Sequence, residues 1–379
     1  MTEKLYYKDA YIKEFSASIL SATEYDGGWD VVLDKTAFFP EEGGQSSDDG
    51  FIGNARVTHV YEKDGVVHHI TDASPSENIV FCKLNFSKRL EKMQCHTAEH
   101  ILCGIIHKLF GLENTGFHLG DDVVTFDVSG PLRREDVERV EELANEAVFD
   151  NIPIETAFPA PEELDGMFYR AKLDLKEGVR IVKIGEVDSC ACCAPHVSST
   201  AEVGLIKILD FMKHRGGMRI TMVAGRRAFK EFCIQQSNIK RISALLSEPP
   251  HTTADMLEKF IADAEQTASE LKRTKIRIAE LCAESFSGAE GNAVVNLPDF
   301  SFDELRAYSN VAMQKCAGLL VCVSGKDGDY KYVISSAELN VGSMSREINT
   351  ALAGKGGGRG NMIQGSFAAT LEEIKDYFK

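Results

Sequence analysis

The sequence predicts an α+β protein, and three observations carry that expectation. Short runs of alternating apolar and polar residues fill the first 85 or so positions, apolar residues recur at helical spacing in several long segments after them, and strand-like runs alternate with helical ones beyond Asn292. The chain divides accordingly into a small β-rich domain (1–86), an α+β domain (87–225), a helical hairpin stalk (226–285) and a small α/β domain (286–379).

From Tyr6 to about Asn85, runs such as Trp29 to Leu33, Ala55 to Tyr61 and Val66 to Ile70 are broken by glycine and aspartate clusters, the pattern of a small antiparallel β domain. A helix follows from about Ser87 to Phe110, with Leu90, Met93, Ile101, Leu102, Ile105 and Leu109 at helical spacing and Gly111 as its stop. A strand near Val123 to Val128, a charged helix near Arg134 to Phe149 and further strands up to Val223 complete the second part. Two helical segments, about Arg226 to Leu245 and Thr252 to Glu284, are separated by the breaker Glu248-Pro249-Pro250. Phe229, Phe232, Ile239 and Ile242 on the first, and Met256, Phe260, Leu271 and Leu281 on the second, suit an antiparallel hairpin. In the last part the glycine-rich stretch Gly354 to Gly365 reads as a loop before a final strand and a C-terminal helix.

With 379 residues, 44% hydrophobic and 26% charged, the composition is that of a folding chain rather than a disordered one. MTEKLYYKDA holds no apolar signal core and no later run approaches a membrane span, so a soluble cytoplasmic protein without membrane contact is expected. The ten cysteines are scattered, except for Cys190, Cys192 and Cys193, which favours metal binding over a disulfide framework. A net charge of −16 argues against a general polyanion binder, so any nucleic-acid contact needs a local basic patch.

His96 and His100 stand four apart within the helix, which projects both imidazoles from one face. Cys192 and His196 flank a tight loop and add a thiolate and a third imidazole, a mixed nitrogen and sulfur set that suits zinc. Cys103, His107, Cys190 and Cys193 are competing ligands of lower rank. Four protein ligands would also suit a purely structural zinc, because catalytic zinc usually keeps an open position. Earlier in the chain, Asp34 to Gln45 sets two aromatics, a proline and paired glycines before a polar turn, and so can present Gln45 and backbone N–H groups to a small polar ligand, or can be an ordinary β-turn.

These motifs together resemble a family. Thr36-x-Phe38-Phe39-Pro40-x-x-Gly43-Gly44-Gln45, His96-Thr97-Ala98-Glu99-His100, and Cys192-x-x-x-His196-Val197-x-x-Thr200-x-Glu202-x-Gly204 look like the editing region of alanyl-tRNA synthetase and its freestanding relatives, the alanyl-tRNA editing proteins. They follow the family order over about 170 residues, and Arg215 to Gly225 resembles the segment closing that module. Gly354 to Gly365 is similar to the glycine-rich signature of the DHH-associated domain. The family loop often has three glycines where this chain has Glu42-Gly43-Gly44, and Cys-Gly-Gly-Thr-His where it has Cys192-Cys193-Ala194-Pro195-His196. No Asp-His-His triplet occurs, so a DHH-type phosphoesterase is not expected.

The resemblance implies a barrel-like first domain, a zinc-containing editing domain and ATP-independent hydrolysis of mischarged tRNA(Ala) carrying serine or glycine, with no aminoacylation. Zinc at His96, His100, Cys192 and His196 would polarise the ester or activate water, or would anchor the substrate amine or a ribose hydroxyl. Gln45 and Thr36 are the candidate catalytic residues, the first for positioning water or ester and the second for meeting the serine hydroxyl. Lys213, Arg215, Arg219, Arg226, Arg227 and Lys230 lie in a segment with no acid and form the candidate tRNA surface, with Lys355 and Arg359 as a second contact. The apolar stripe on the helical stalk leads to the expectation of a homodimer. Two other readings compete: a non-catalytic, zinc-stabilised tRNA-binding dimer, and a zinc hydrolase of free small esters or amides.

Overall fold

Alternating side chains can bury one face of a strand only if that face turns toward other strands. In the computed structural model, which describes residues 1–164, 166–171 and 178–379, six of the first eight strands do this. The eight are β1 (Glu3–Lys4), β2 (Glu14–Tyr25), β3 (Gly28–Leu33), β4 (Lys35–Thr36), β5 (Gly50–Ile52), β6 (Ala55–Lys63), β7 (Val66–Thr71) and β8 (Ile79–Leu84). Six close into a barrel in the order β2-β3-β7-β6-β5-β8, and β8 returns to β2 with Phe15 opposite Cys82. Val31, Leu33, Val57, Val60, Val67 and Leu84 point inward and are buried. The hairpins β2–β3 and β6–β7 turn on Asp26-Gly27 and Asp64-Gly65, all four with positive φ, the twist that suits tight antiparallel connections. β1 lies parallel to β4.

Helix α1 (Phe86–Phe110) starts with the Asn85 side chain accepting from Lys88 N–H and ends at Gly111 with φ 66°. Its residues from Met93 to Ile106 are buried without interruption, so it runs through the core of its unit. Around it are β9 (Asn114–Leu119), β10 (Val124–Val128), α2 (Arg134–Phe149), β11 (Ile154–Ala157), α3 (Pro161–Leu164), β12 (Ile181–Ile184), β13 (Asp188–Ala191), β14 (Ile206–His214) and β15 (Gly217–Ala224). Two sheets result, β14-β15-β10-β9 and β11-β12-β13, and α1 packs against α2, β9, β13 and β15.

α4 (Gly225–Leu246) follows, and the chain divides within it into two compact units, Met1–Lys240 and Arg241–Lys379. The second unit contains α5 (Thr253–Glu284), β16 (Ala293–Asn296), α6 (Phe302–Ala312), β17 (Leu320–Lys326), β18 (Asp329–Ser335), α7 (Val341–Ala351), β19 (Lys355–Arg359), β20 (Met362–Phe367) and α8 (Leu371–Tyr377). Its sheet order is β16-β17-β18-β20-β19, with only β16–β17 parallel, and α5 packs along α6.

One expectation changes here. The glycine-rich stretch is itself strand β19 and part of β20, not a loop: a Cβ on Gly356 would fall 2.4 Å from the Gln364 carbonyl and 2.6 Å from the Tyr332 hydroxyl, so absent side chains let this edge close. Phe229, Phe232, Phe260, Leu271 and Leu281 of the apolar stripe are exposed. Among the described residues no helix is long and apolar enough to cross a membrane.

Candidate metal centre

Residues four apart on a helix stack on one side, and His96 and His100 of α1 do so with ring centroids 5.4 Å apart. Just past the end of β13 the chain delivers Cys192, and the loop after it brings back His196, whose ring lies 4.9 Å from that of His96 and 4.6 Å from that of His100. Cys192 Sγ stands 3.6 Å from His96 Nε2 and 3.3 Å from His196 Nε2, and the four potential ligand atoms all lie within 4.8 Å of one another. In a tetrahedron with the usual zinc–nitrogen and zinc–sulfur bond lengths the sulfur–nitrogen edge is about 3.6 Å. The cluster therefore has the size and donor chemistry of a tetrahedral metal site.

Each histidine is also oriented through its other nitrogen. His96 Nδ1 donates to Gln45 Oε1 at 2.9 Å and His100 Nδ1 to Asp188 Oδ2 at 3.1 Å, while His196 Nδ1 lies 2.9 Å from Thr97 Oγ1. On His96 and His100 the proton is thereby fixed on Nδ1, which leaves the Nε2 lone pairs for a metal. Asp188 is gripped in turn by Arg170, at 2.7 Å from Nε and 2.9 Å from Nη2. Burial acts to raise its carboxyl, but the hydrogen bonds from His100 and Arg170 overcome this and hold it below the usual range. Burial, then the neighbouring His100 and His96, pushes His196 well below the ordinary histidine range, so its ring is neutral. Burial also raises the Cys192 thiol, so a metal must displace its proton.

The loop carrying Gln45 is pinned by the helix that carries the histidines. Arg89 forms an ion pair with Asp48, whose carboxylate also accepts from Phe39 N–H at 2.7 Å, and Lys92 Nζ donates to the carbonyls of Ser46 and Ser47 at 3.0 and 2.5 Å. Arg89, Lys92 and His96 follow one another on one face of α1. Gly44 must be glycine, because it has φ 82° and a Cβ there would sit 2.5 Å from the Phe117 carbonyl oxygen.

Beside the cluster lies a cavity of about 500 Å³, lined by His96, His100 and Cys192 together with Tyr7, Phe117 and Phe158, and also by Glu99 and Asn114. Neither candidate catalytic residue lines it. Thr36 is fully buried, its hydroxyl 2.9 Å from His69 Nε2 and accepting from Phe38 N–H at 3.1 Å, so it is committed within the barrel. Gln45 is equally buried, with its oxygen spent on His96 and its amide nitrogen without a hydrogen-bond partner among the described residues. Its contact with Nδ1 orients the His96 ring.

Of the competing ligands, Cys103 donates to Glu99 at 3.0 Å and His107 Nδ1 lies 2.9 Å from Glu113. The Cys193 thiol is pushed up to about 12 by burial and by Glu42, and Cys190 groups with His100 and Asp188. Sequence reasoning missed Thr97, Glu99, Asn114, Asp188 and Arg170. Thr97 and Glu99 sit inside the His96-Thr97-Ala98-Glu99-His100 motif, where the spacing H-x-x-E-H was itself a signal. Asp188 and Arg170 carry none.

Residues 179–221 match the family described as the threonyl and alanyl tRNA synthetase second additional domain. The chain is 30% identical over 399 aligned positions to the alanyl-tRNA editing protein AlaX-L of Pyrococcus horikoshii, covering 99% of this chain and 97% of that protein. The chain belongs to the alanyl-tRNA editing protein family. It is also 30% identical to the alanine–tRNA ligase of Natronomonas pharaonis and 32% identical to that of Halobacterium salinarum, over 93% and 86% of this chain. It spans about 40% of the length of these ligases. Among solved structures, the C-Ala domain of Aquifex aeolicus alanyl-tRNA synthetase matches 23% of this chain and 86% of that domain, at 23% identity and a TM-score of 0.21, too low to equate the two folds.

For this editing-family chain the basic residues divide by what holds them. Lys213, Arg215 and Arg226 are exposed, the last donating to Ser87 Oγ at 2.7 Å. Arg219 is half-buried and bidentate to Asp127 at 2.8 and 2.9 Å. Arg227 is buried at 8% exposure, donating to the Gly120 carbonyl at 2.8 Å with Glu91 3.8 Å away, and its burial corrects its place among the phosphate contacts: an interior guanidinium does not face solvent. Lys355 and Arg359 are exposed on β19 of the second unit.

Proposed function

We propose that this protein is an aminoacyl-tRNA deacylase that hydrolyses Ser-tRNA(Ala), and Gly-tRNA(Ala) after it, in trans and with zinc held by His96, His100, Cys192 and His196. One observation carries the reading: three histidines and one cysteine converge at tetrahedral spacing, and His96, His100 and Cys192 of that cluster line a cavity. Zinc bound there would supply Lewis acidity toward the ester carbonyl or toward water. The chain's own residues do the rest. Gln45, Asp188 and Thr97 orient the ligands, while Tyr7, Phe117 and Phe158 give the cavity apolar faces suited to a nucleoside end.

The exposed cations Lys213, Arg215 and Arg226, with Lys355 and Arg359 on the second unit, are the proposed phosphate contacts. A homodimer through the exposed apolar residues of α4 and α5 is part of the same reading.

Serine release from preformed Ser-tRNA(Ala) tests it, with zinc content measured on the same material. The native protein is expected to release serine, and Cys192→Ala to lose at least 100-fold of the rate together with the metal. Four protein ligands favour a second reading, in which zinc is structural and the protein binds tRNA without turnover. Zinc-loaded protein that binds tRNA(Ala) but releases no serine would establish that reading instead.

A further inference from the structure

An aminoacyl ester brings a positive charge with it, because its α-ammonium stands about 2.5 Å from the carbonyl carbon to be attacked. A cavity that takes such an ester needs an unclaimed acceptor close to the ligand cluster. Among the described residues lining the cavity, the charges are largely spent on one another. Lys4 pairs with Glu62 at 2.8 Å, Glu113 faces His107, Arg170 is bound to Asp188, and Arg180 donates to the carbonyls of Cys192 and Ala194 at 3.0 and 2.9 Å. Glu42 is exposed at the rim.

Glu99 differs from these. It is only 4% exposed and makes no ion pair with the described residues, yet it belongs to the cavity wall. It sits on α1 three residues after His96 and one before His100, so the same turn of helix carries it and the ligands. Its Oε1 is anchored twice, by the Asn114 side-chain amide and by the Cys103 thiol at 3.0 Å. Its Oε2 accepts no hydrogen bond from the described residues. A carboxylate with one oxygen fixed and the other unclaimed is a rigid acceptor.

We infer that Glu99 docks the α-ammonium of the aminoacyl group and so restricts the site to esters with a free amine. The inference rests on the deacylase reading and adds a residue that selects substrate. Asn114 and Cys103 are positioning residues for it, since both act only through Oε1.

The test is binding of a non-hydrolysable probe, the 3′-seryl amide of 3′-amino-3′-deoxyadenosine, against its N-acetyl form, by calorimetry on the metal-loaded full chain. The native protein is expected to prefer the free amine by at least 30-fold, about 2 kcal/mol. Glu99→Gln should cut that preference to about 3-fold or less with metal content unchanged, and Glu99→Asp, which keeps the charge, should retain part of it. A native protein indifferent to acetylation overturns the inference whatever the variants do. So does a Glu99→Gln protein that keeps the preference, or one that loses its metal, which would make Glu99 structural. Unaltered probe binding with slowed serine release would also overturn it, pointing to proton transfer instead. Serine release by the native protein is read in parallel. If it fails while the amine preference holds, the deacylase reading falls and the ammonium site stands.

Discussion

A histidine sealed inside the barrel sets an acid limit on the first unit. His69 donates from Nδ1 to the Val31 carbonyl and accepts from Thr36 at Nε2, and burial lowers its pKa to about 4 despite the Val31 bond. Unfolded, the ring takes its proton near the ordinary value of about 6.5. The unfolded chain therefore binds the proton first as pH falls: the stabilisation is intact above about pH 6.5 and is lost progressively toward pH 4, about 3 kcal/mol in all. Urea unfolding at pH 7 and pH 4.5 should show this extra loss in the native protein and not in His69→Gln. Arg89 is the second case. Arg89→Met leaves the Asp48 carboxylate buried without its partner, which costs about 3–5 kcal/mol, and frees the loop that holds Gln45 against His96. Denaturation midpoints and zinc stoichiometry should fall together. Thr36 and Gln45 were legible as notable residues, but their roles were not, because a hydroxyl or an amide in a sequence does not say which side of a barrel wall it faces.

At the scale of elements, α1 does most of the assembly. Its side chains supply two candidate ligands, the two cations that pin the Gln45 loop, and Glu99. Close approach of α1 to β13 depends on Gly104, where a Cβ would lie 2.4 Å from the Val187 carbonyl oxygen and 2.7 Å from Asp188 Cβ. Gly104→Ala should cost about 1–3 kcal/mol and push Asp188 off His100, which thermal melts and zinc titration would detect as lower stability and weaker binding. The helix itself was legible to within a residue at its start from the spacing of its apolar residues, and at its end from Gly111; the Asn85 cap came with the structure. The glycine strand β19 was not, since a run without side chains carries no alternation and looks like a loop until its partner β20 is present.

For the whole molecule, a net charge of −16 opposes tRNA at long range, so affinity has to come from the exposed cations. Arg226→Ala should weaken tRNA binding and reduce the salt slope by about 1, whereas Arg227→Ala should leave the slope unchanged and lower stability instead. Filter binding across a salt series, with melts of both variants, separates the two effects. The exposed Phe229, Phe232 and Phe260 are costly in water for an isolated chain, and sedimentation of the native protein should show a dimer that polar substitutions at these positions dissociate.

The sequence by itself determined what local rules can encode: β strands from alternation, a helix end from its glycine stop, two candidate ligands from a spacing of four, and the other two from a short loop. Family resemblance extended that to the order of the motifs. Only the tertiary structure decided which residues orient the histidines, because Gln45, Asp188 and Thr97 meet them across 51, 88 and 99 positions of chain. It likewise decided that Arg227 is interior and that one oxygen of Glu99 is unclaimed by the described residues. Such facts depend on where distant backbone comes to rest, and no periodicity within a segment records that.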